Sequence, residues 1–296
     1  MHLFKSLALT ILLLPAMAEA FPIQYNNVRF SHLGTGDGLP HSTVFTITQD
    51  SSGFIWMATA GGLCRYDGYS VSVLAHSDND STSLRHDFVR NIFNDDGRES
   101  LWVSTDAGIC RYDRRRERFF NYELGDNGDE NVQFLFGSDG RTILAVCDRG
   151  IYIYDDRNDS FSPFLSGKDS SGPFQDAVID KNGIIWIGTG KGLLRYDPGQ
   201  ARYIGLPDNL NEICRSLIFT RMTGERLIFL SNDDICLVYD TLDGSIRDLS
   251  ADLDGKTFRC AETDSAGNIW IGCEYGIYVY DRGWKVTAHV ELTRHK

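Results

Sequence analysis

Short stretches of alternating apolar and polar residues run through most of the chain. "STVFTITQ" (42–49) is one and "YSVSVLAH" (69–76) is another. Between them lie "FIWMAT" and "LCRYD", split by the small residues "AGG" and preceded by "DSSG". Period-two alternation broken by Gly, Asp and Ser predicts short strands joined by hairpins. No helical period of useful length follows the first twenty residues.

The same order of segments returns. "DSSGFIWMATAGGLCRYD" (50–67) is echoed by "DGRESLWVSTDAGICRYD" (96–113), "DKNGIIWIGTGKGLLRYD" (180–197) and "DSAGNIWIGCEYGIYVYD" (264–281). Weaker copies stand at 139–155 and 223–240. The final Asp of each phrase falls at Asp67, Asp113, Asp155, Asp197, Asp240 and Asp281, every 41 to 46 residues. Eleven residues before it stands Trp56, Trp102, Leu144, Trp186, Phe229 or Trp270. Four strands per repeat of this length predict an all-β fold, a β-propeller of four-stranded blades with about six repeats. A β-helix is the weaker alternative, because its coils are shorter. The units run roughly over 38–76, 84–123, 131–165, 172–206, 212–249 and 258–292.

The phrase is therefore read as scaffold. Its Trp should lie on the second strand and pack between blades. Its Gly should permit positive φ in the tight turn, and its last Asp should bond amides of the next turn. Residues repeated in every unit belong to stability, because a site needs to occur only once.

"DGLPHSTVFTITQDSSGFIWMATAGGLCRYDGYSV" (37–71) resembles the two-component regulator propeller repeat, with its "GLP" opening, D-x-x-G-x-[IL]-W hairpin and G-L-x-R-Y-D ending. The resemblance covers about residues 28–292. It is specific in the first, second, fourth and sixth units and weak in the third and fifth. It implies the extracytoplasmic sensor region of a hybrid two-component histidine kinase, in a seven-bladed ring. Six units and a leading "VRFSHL" strand fall short of seven. The ring is then open, or six blades close, or a blade lies beyond Lys296. Further propeller, kinase and membrane segments are the partners the resemblance implies, and a homodimer is expected of full-length relatives. With no kinase segment in the sequence, the chain is expected to be no enzyme.

Charge and composition narrow the partners. The formal net charge of −12 disfavours a phosphate backbone, so no nucleic acid is expected. "RRRER" (114–118) reads as a solvated turn. The opening "MHLFKSLALTILLLPAMAEA" has a basic residue, a short apolar run and an A-x-A site, which reads as a signal peptide (1–20) cleaved near Ala20. A periplasmic or secreted chain follows. The seven Cys form no C-x-x-C pair. Cys64, Cys110, Cys147 and Cys273 stand where repeats hold small residues and read as buried fillers, and an odd count leaves at least one free thiol.

Chemistry is sparse. "GTGDG" (34–38) and "GTGKG" (188–192) precede no helix, so neither reads as a phosphate loop. "DNDSTSLRHD" (78–87) lacks the glycine and closing Glu of a calcium loop and reads as a solvated loop. Catalytic residues, metal and cofactor are each expected to be none. Positions that differ among the turns between second and third strands, and in the loops entering each blade, are the candidate ligand face: His41, His86, Asp87, Asp106, Asp148, Arg149, Lys191, Asp233, Asp234, Glu274 and Tyr275. Arg149 and Tyr275 suit sugars or acidic sugars, and an oligosaccharide is the expected ligand. The alternatives are a secreted carbohydrate-active lyase or glycosidase, with carboxylates in the central channel, and a protein-interaction scaffold.

Overall fold

The computed structural model describes residues 31–125, 132–138, 142–166, 172–180, 182–189, 191–207, 210, 219–223, 226–230, 236–241, 243–250, 258–264, 266–274 and 276–291. The signal peptide reading at 1–20 lies outside the described residues. So do Val28–Phe30 of the expected leading strand, while Ser31–Leu33 are not in a strand.

Six four-stranded antiparallel sheets follow one another in chain order, each strand pairing with its sequence neighbour. Blade 1 holds β1 (Val44–Gln49), β2 (Ile55–Thr59), β3 (Gly62–Tyr66) and β4 (Val71–Leu74). Blade 2 holds β5 (Val89–Asp95), β6 (Ser100–Thr105), β7 (Gly108–Asp113) and β8 (Arg118–Tyr122). Blade 3 holds β9 (Val132–Ser138), β10 (Thr142–Cys147), β11 (Gly150–Asp155) and β12 (Ser160–Ser166). Blade 4 holds β13 (Phe174–Ile179), β14 (Ile185–Thr189), β15 (Gly192–Asp197) and β16 (Arg202–Ile204). Blade 5 holds β17 (Phe219–Thr223), β18 (Arg226–Leu230), β19 (Cys236–Asp240) and β20 (Ile246–Asp248). Blade 6 holds β21 (Phe258–Thr263), β22 (Ile269–Cys273), β23 (Gly276–Tyr280) and β24 (Val286–Glu291). The fold is an all-β six-bladed propeller. The seventh blade that the resemblance implies is not among these sheets.

The repeated phrase does structural work at three points. Trp56, Trp102 and Trp186 are almost wholly buried, and each packs into a cluster shared with the next blade. Burying an indole removes roughly 200 Å² from water, about 5 kcal/mol at about 25 cal/mol per Å². In blades 1, 4 and 6 the indole N–H is satisfied by the Asp that opens the phrase: Trp56 Nε1 donates to Asp50 at 2.8 Å, Trp186 to Asp180 at 2.9 Å and Trp270 to Asp264 at 3.0 Å. Partial burial pushes the Asp264 carboxyl up. The N–H groups of Trp270, Asn268 and Ala266 outweigh it and hold the group at about 2. The closing Asp caps the next turn, as at Asp67, whose Oδ1 accepts from the amides of Tyr69 and Ser70. Gly62, Gly108 and Gly192 sit at φ 134°, 118° and 118°.

Cys64, Cys110, Cys147 and Cys273 are buried in the apolar clusters. Burial raises the Cys110 thiol to about 12, so it stays protonated and inert. Cys214 lies outside the described residues.

The "RRRER" run is corrected in part. It does form the β7–β8 turn, but Arg114 is not merely solvated. Its guanidinium meets Asp50 at 3.3 Å and Asp96 at 2.8 Å, with only 14% of the side chain exposed. It ties blade 2 to blade 1. "GTGDG" closes into a single 3₁₀ turn, Thr35–Asp37, in which Asp37 Oδ2 accepts the Gly34 amide at 2.8 Å.

The clusters join blades one to two, two to three, three to four, four to five and five to six. The last cluster belongs to blade 1, around Met57 and Cys64. Among the described residues, none joins blade 6 to blade 1. Two residues record this seam. Ile47 is 60% exposed, whereas its counterparts Ile92, Leu135, Ala177 and Ala261 are at most 4% exposed. Trp270 is half-buried.

Candidate functional site

In five blades the innermost strand carries one extra residue near its start. The register skips Phe45, Arg90, Gln133, Gln175 and Arg259. β17 pairs with β18 in unbroken register. A bulge takes a residue out of the ladder and re-aims its side chain. In blades 2 and 3 the re-aimed residue meets the turn between the second and third strands of its own blade. Arg90 Nε donates to Asp106 Oδ1 at 2.6 Å, and Gln133 Nε2 donates to Asp148 Oδ1 at 2.7 Å. Gln175 and Arg259 are exposed. The spacing of the sequence did not point to these five residues.

In blades 2 and 4 the residue after the bulge turns inward instead. Asn91 Oδ1 accepts the Leu135 amide of the next blade at 3.2 Å. Asp176 is 3% exposed on the innermost strand of blade 4, and its Oδ1 accepts the Ala177 amide at 2.8 Å.

The entering loops of blades 1 and 2 repeat one local device. His41 Nδ1 accepts from the Thr43 amide at 2.9 Å, and His86 Nδ1 accepts from the Phe88 amide at 3.0 Å. Each neutral ring then carries its proton on Nε2 and offers one donor. Both rings are exposed. In the same two blades Phe45, 45% exposed, and Phe88 stand with ring centroids 5.1 Å apart. The Arg90 guanidinium sits over Phe88 at 5.1 Å. An aromatic pair, a guanidinium held by a carboxylate and two imidazole donors thus share the turn face of blades 1 and 2.

The other expected positions divide. Asp87 Oδ1 accepts the His76 amide at 2.6 Å and ties down its own loop. Asp106 and Asp148 hold the bulge residues. Arg149, Lys191 and Glu274 are exposed on their turns, on blades 3, 4 and 6. Asp233, Asp234 and Tyr275 lie outside the described residues. Among the described residues no group of His, Cys, Asp and Glu has the arrangement of a metal site. No helix among them is long and apolar enough to cross a membrane.

Comparison with known proteins places these features. The family described as two component regulator propeller matches residues 38–61. A histidine kinase of Formosa agariphila is 32% identical over 75 residues, which is 25% of this chain and 6% of that protein. The extracellular domain of a hybrid two-component system of B. thetaiotaomicron superposes with a TM-score of 0.68 at 18% identity, over 86% of this chain and 37% of that one. A streptogramin B lyase superposes with a TM-score of 0.67 at 13% identity, over 87% of this chain and 86% of that one. An ancestral GH74 enzyme gives a TM-score of 0.63 at 14% identity, over 83% of this chain and 38% of that one.

These enzymes correct one expectation. The lack of a kinase segment led to a chain with no catalytic role, yet the same fold carries enzymes over most of this chain's length. The fold does not separate sensors from catalysts. The chain is a β-propeller that shares its fold with extracellular sensor domains and with lyases, and shares sequence with the two-component regulator propeller family over residues 38–61 of its first blade.

Proposed function

We propose that the chain is an extracytoplasmic carbohydrate-recognising propeller, and that it serves as the input part of a two-component regulator. The observation that supports this is the turn face of blades 1 and 2. Phe45 and Phe88 offer apolar faces for a sugar ring, and Arg90, His41 and His86 offer donors around them. The first-blade match and the sensor domains of like fold support the signalling role. The apolar leader and the extracellular setting of those domains support export. In this reading the signal passes to further propeller, membrane and kinase segments, with dimerisation of the whole.

The test is calorimetric titration of the full chain with neutral and uronate-containing oligosaccharides. Binding should weaken at least about tenfold in Phe45→Ala and Arg90→Ala. A panel with no heat and no thermal shift, or binding that both variants keep, overturns the reading.

A second reading, a propeller lyase or glycosidase, has its own support in Asp176. This reading gives the acid role to Asp176, a carboxylate almost wholly buried on the innermost strand of blade 4. Release of reducing ends or unsaturated products from polysaccharides, lost in Asp176→Asn, would establish it. A sensor binds without turnover.

A further inference from the structure

Every blade turns between its third and fourth strands through a residue of positive φ: Gly68, Glu117, Asp159, Ala201, Gly244 and Trp284. Five of these are small or acidic. The sixth is an indole at φ 67°, a conformation that bulky residues rarely take. Trp284 packs only partly against the core of blades 5 and 6. Its ring also walls a cleft of about 510 Å³ with Val238, Asp240, Ser245, Ile246, Arg247 and Asp248. The Arg247 guanidinium lies 5.5 Å from the ring centre.

We propose that this cleft is a second carbohydrate site, taking one hydroxylated ring against Trp284. The lining has the required mixture. Ile246, Val238 and the indole give apolar contact. Asp240 and Asp248 accept hydroxyl protons, and Arg247 and Ser245 donate. A basic peptide fits less well, because the wall already holds a guanidinium over its aromatic face. The turns that build the cleft lie at the opposite end of the blades from the β2–β3 type of turn. Occupancy here therefore neither needs nor tests the ligand face of blades 1 and 2.

The experiment titrates the full chain with cellohexaose and with hexagalacturonate, beside Arg247→Ala and Asp248→Asn. The Asn keeps the acceptor that caps the Ser250 amide at 2.8 Å, so folding should persist, as an unchanged melting temperature will show. Expected is saturable binding by one of the two sugars in an Arg90→Ala background, weakened at least about tenfold by Arg247→Ala. Two results overturn the proposal: neither sugar binds, whether or not an oligolysine peptide does, or Arg247→Ala and Asp248→Asn leave the Arg90→Ala background unchanged.

Discussion

Trp102 meets Tyr154 edge-on across the junction of blades 2 and 3, with ring centroids 4.5 Å apart and planes at 63°. Trp56 and Tyr112 repeat the pairing between blades 1 and 2 at 5.5 Å, and Trp186 and Tyr239 between blades 4 and 5 at 5.5 Å. The rule is that the Trp of one blade takes the Tyr of the next. Carried round six blades, it pairs Trp270 with Tyr66. In the structure the Tyr66 hydroxyl donates to the Gly68 carbonyl at 2.8 Å and its ring packs within blade 1. The seam breaks the rule at one place only among the described junctions that hold a Trp.

The seam gives a direct contrast. Ile92→Asp places a charge in the blade 1–2 core and should cost more than about 3 kcal/mol or prevent folding. Ile47→Asp, at the equivalent position, should stay within about 1 kcal/mol. Urea melts of both variants check this. Equal losses would mean that the seam is closed in solution.

Asp50 gathers four groups of the scaffold. It accepts from the Trp56 indole, from the amides of Ser52 and Phe54, and it faces Arg114. Asp50→Ala leaves several buried donors without an acceptor and should cost about 2–4 kcal/mol. Asp50→Asn, which keeps one acceptor, should cost less. Thermal melts rank the two.

Gly108 sits at φ 118°, and a Cβ there would lie 2.9 Å from the Tyr122 carbonyl oxygen. Gly108→Ala should lose at least about 1–2 kcal/mol through backbone strain and that clash. Gly68 has positive φ with open space around it, so Gly68→Ala isolates the strain alone and should lose less.

His76 has an acceptor at each ring nitrogen, the Leu84 carbonyl at 2.8 Å and Asp78 at 3.0 Å. Only the imidazolium donates to both. The bond to Leu84 first, then Asp78, raises its pKa above the ordinary 6.5, and the Asp78 and Asp87 charges add to this. Because the folded value is the raised one, the contribution is complete below about 6.5 and fades as pH rises through the raised value. Amide exchange across residues 76–88 should therefore quicken more between pH 6 and pH 8 than intrinsic chemistry requires. His76→Gln should remove the excess.

Acid acts the opposite way at Asp264. Its folded value, about 2, lies below the ordinary 3.8. The stabilisation is present above about 4 and is lost as pH falls towards 2. The acid slope of the melting temperature in that window should be shallower for Asp264→Asn.

The scaffold was readable because it is written six times. The Trp, the turn Gly and the capping Asp recur at fixed offsets, so each copy corrects the others. The bulges were not readable. "VFTIT" and "VRNIF" look like plain alternation, and only the partner strand shows that Phe45 and Arg90 stand outside the count. In the sequence Asp106 and Asp148 are variable turn residues, but their partners Arg90 and Gln133 lie 16 and 15 residues earlier, a distance no local spacing rule reports. Arg114 is similar: a turn residue by sequence, a bridge between blades by geometry. The seam depends on which two faces meet, and no single repeat carries that information.

The bulge also separates two kinds of inheritance. A residue in the ladder is constrained by its partner strand and by both neighbouring blades. The skipped residue has no partner in the ladder, and Phe, Arg, Gln, Gln and Arg occupy one and the same place in five blades. The propeller can therefore change what its mouth displays by single substitutions, blade by blade, while the strands that carry the display keep their register.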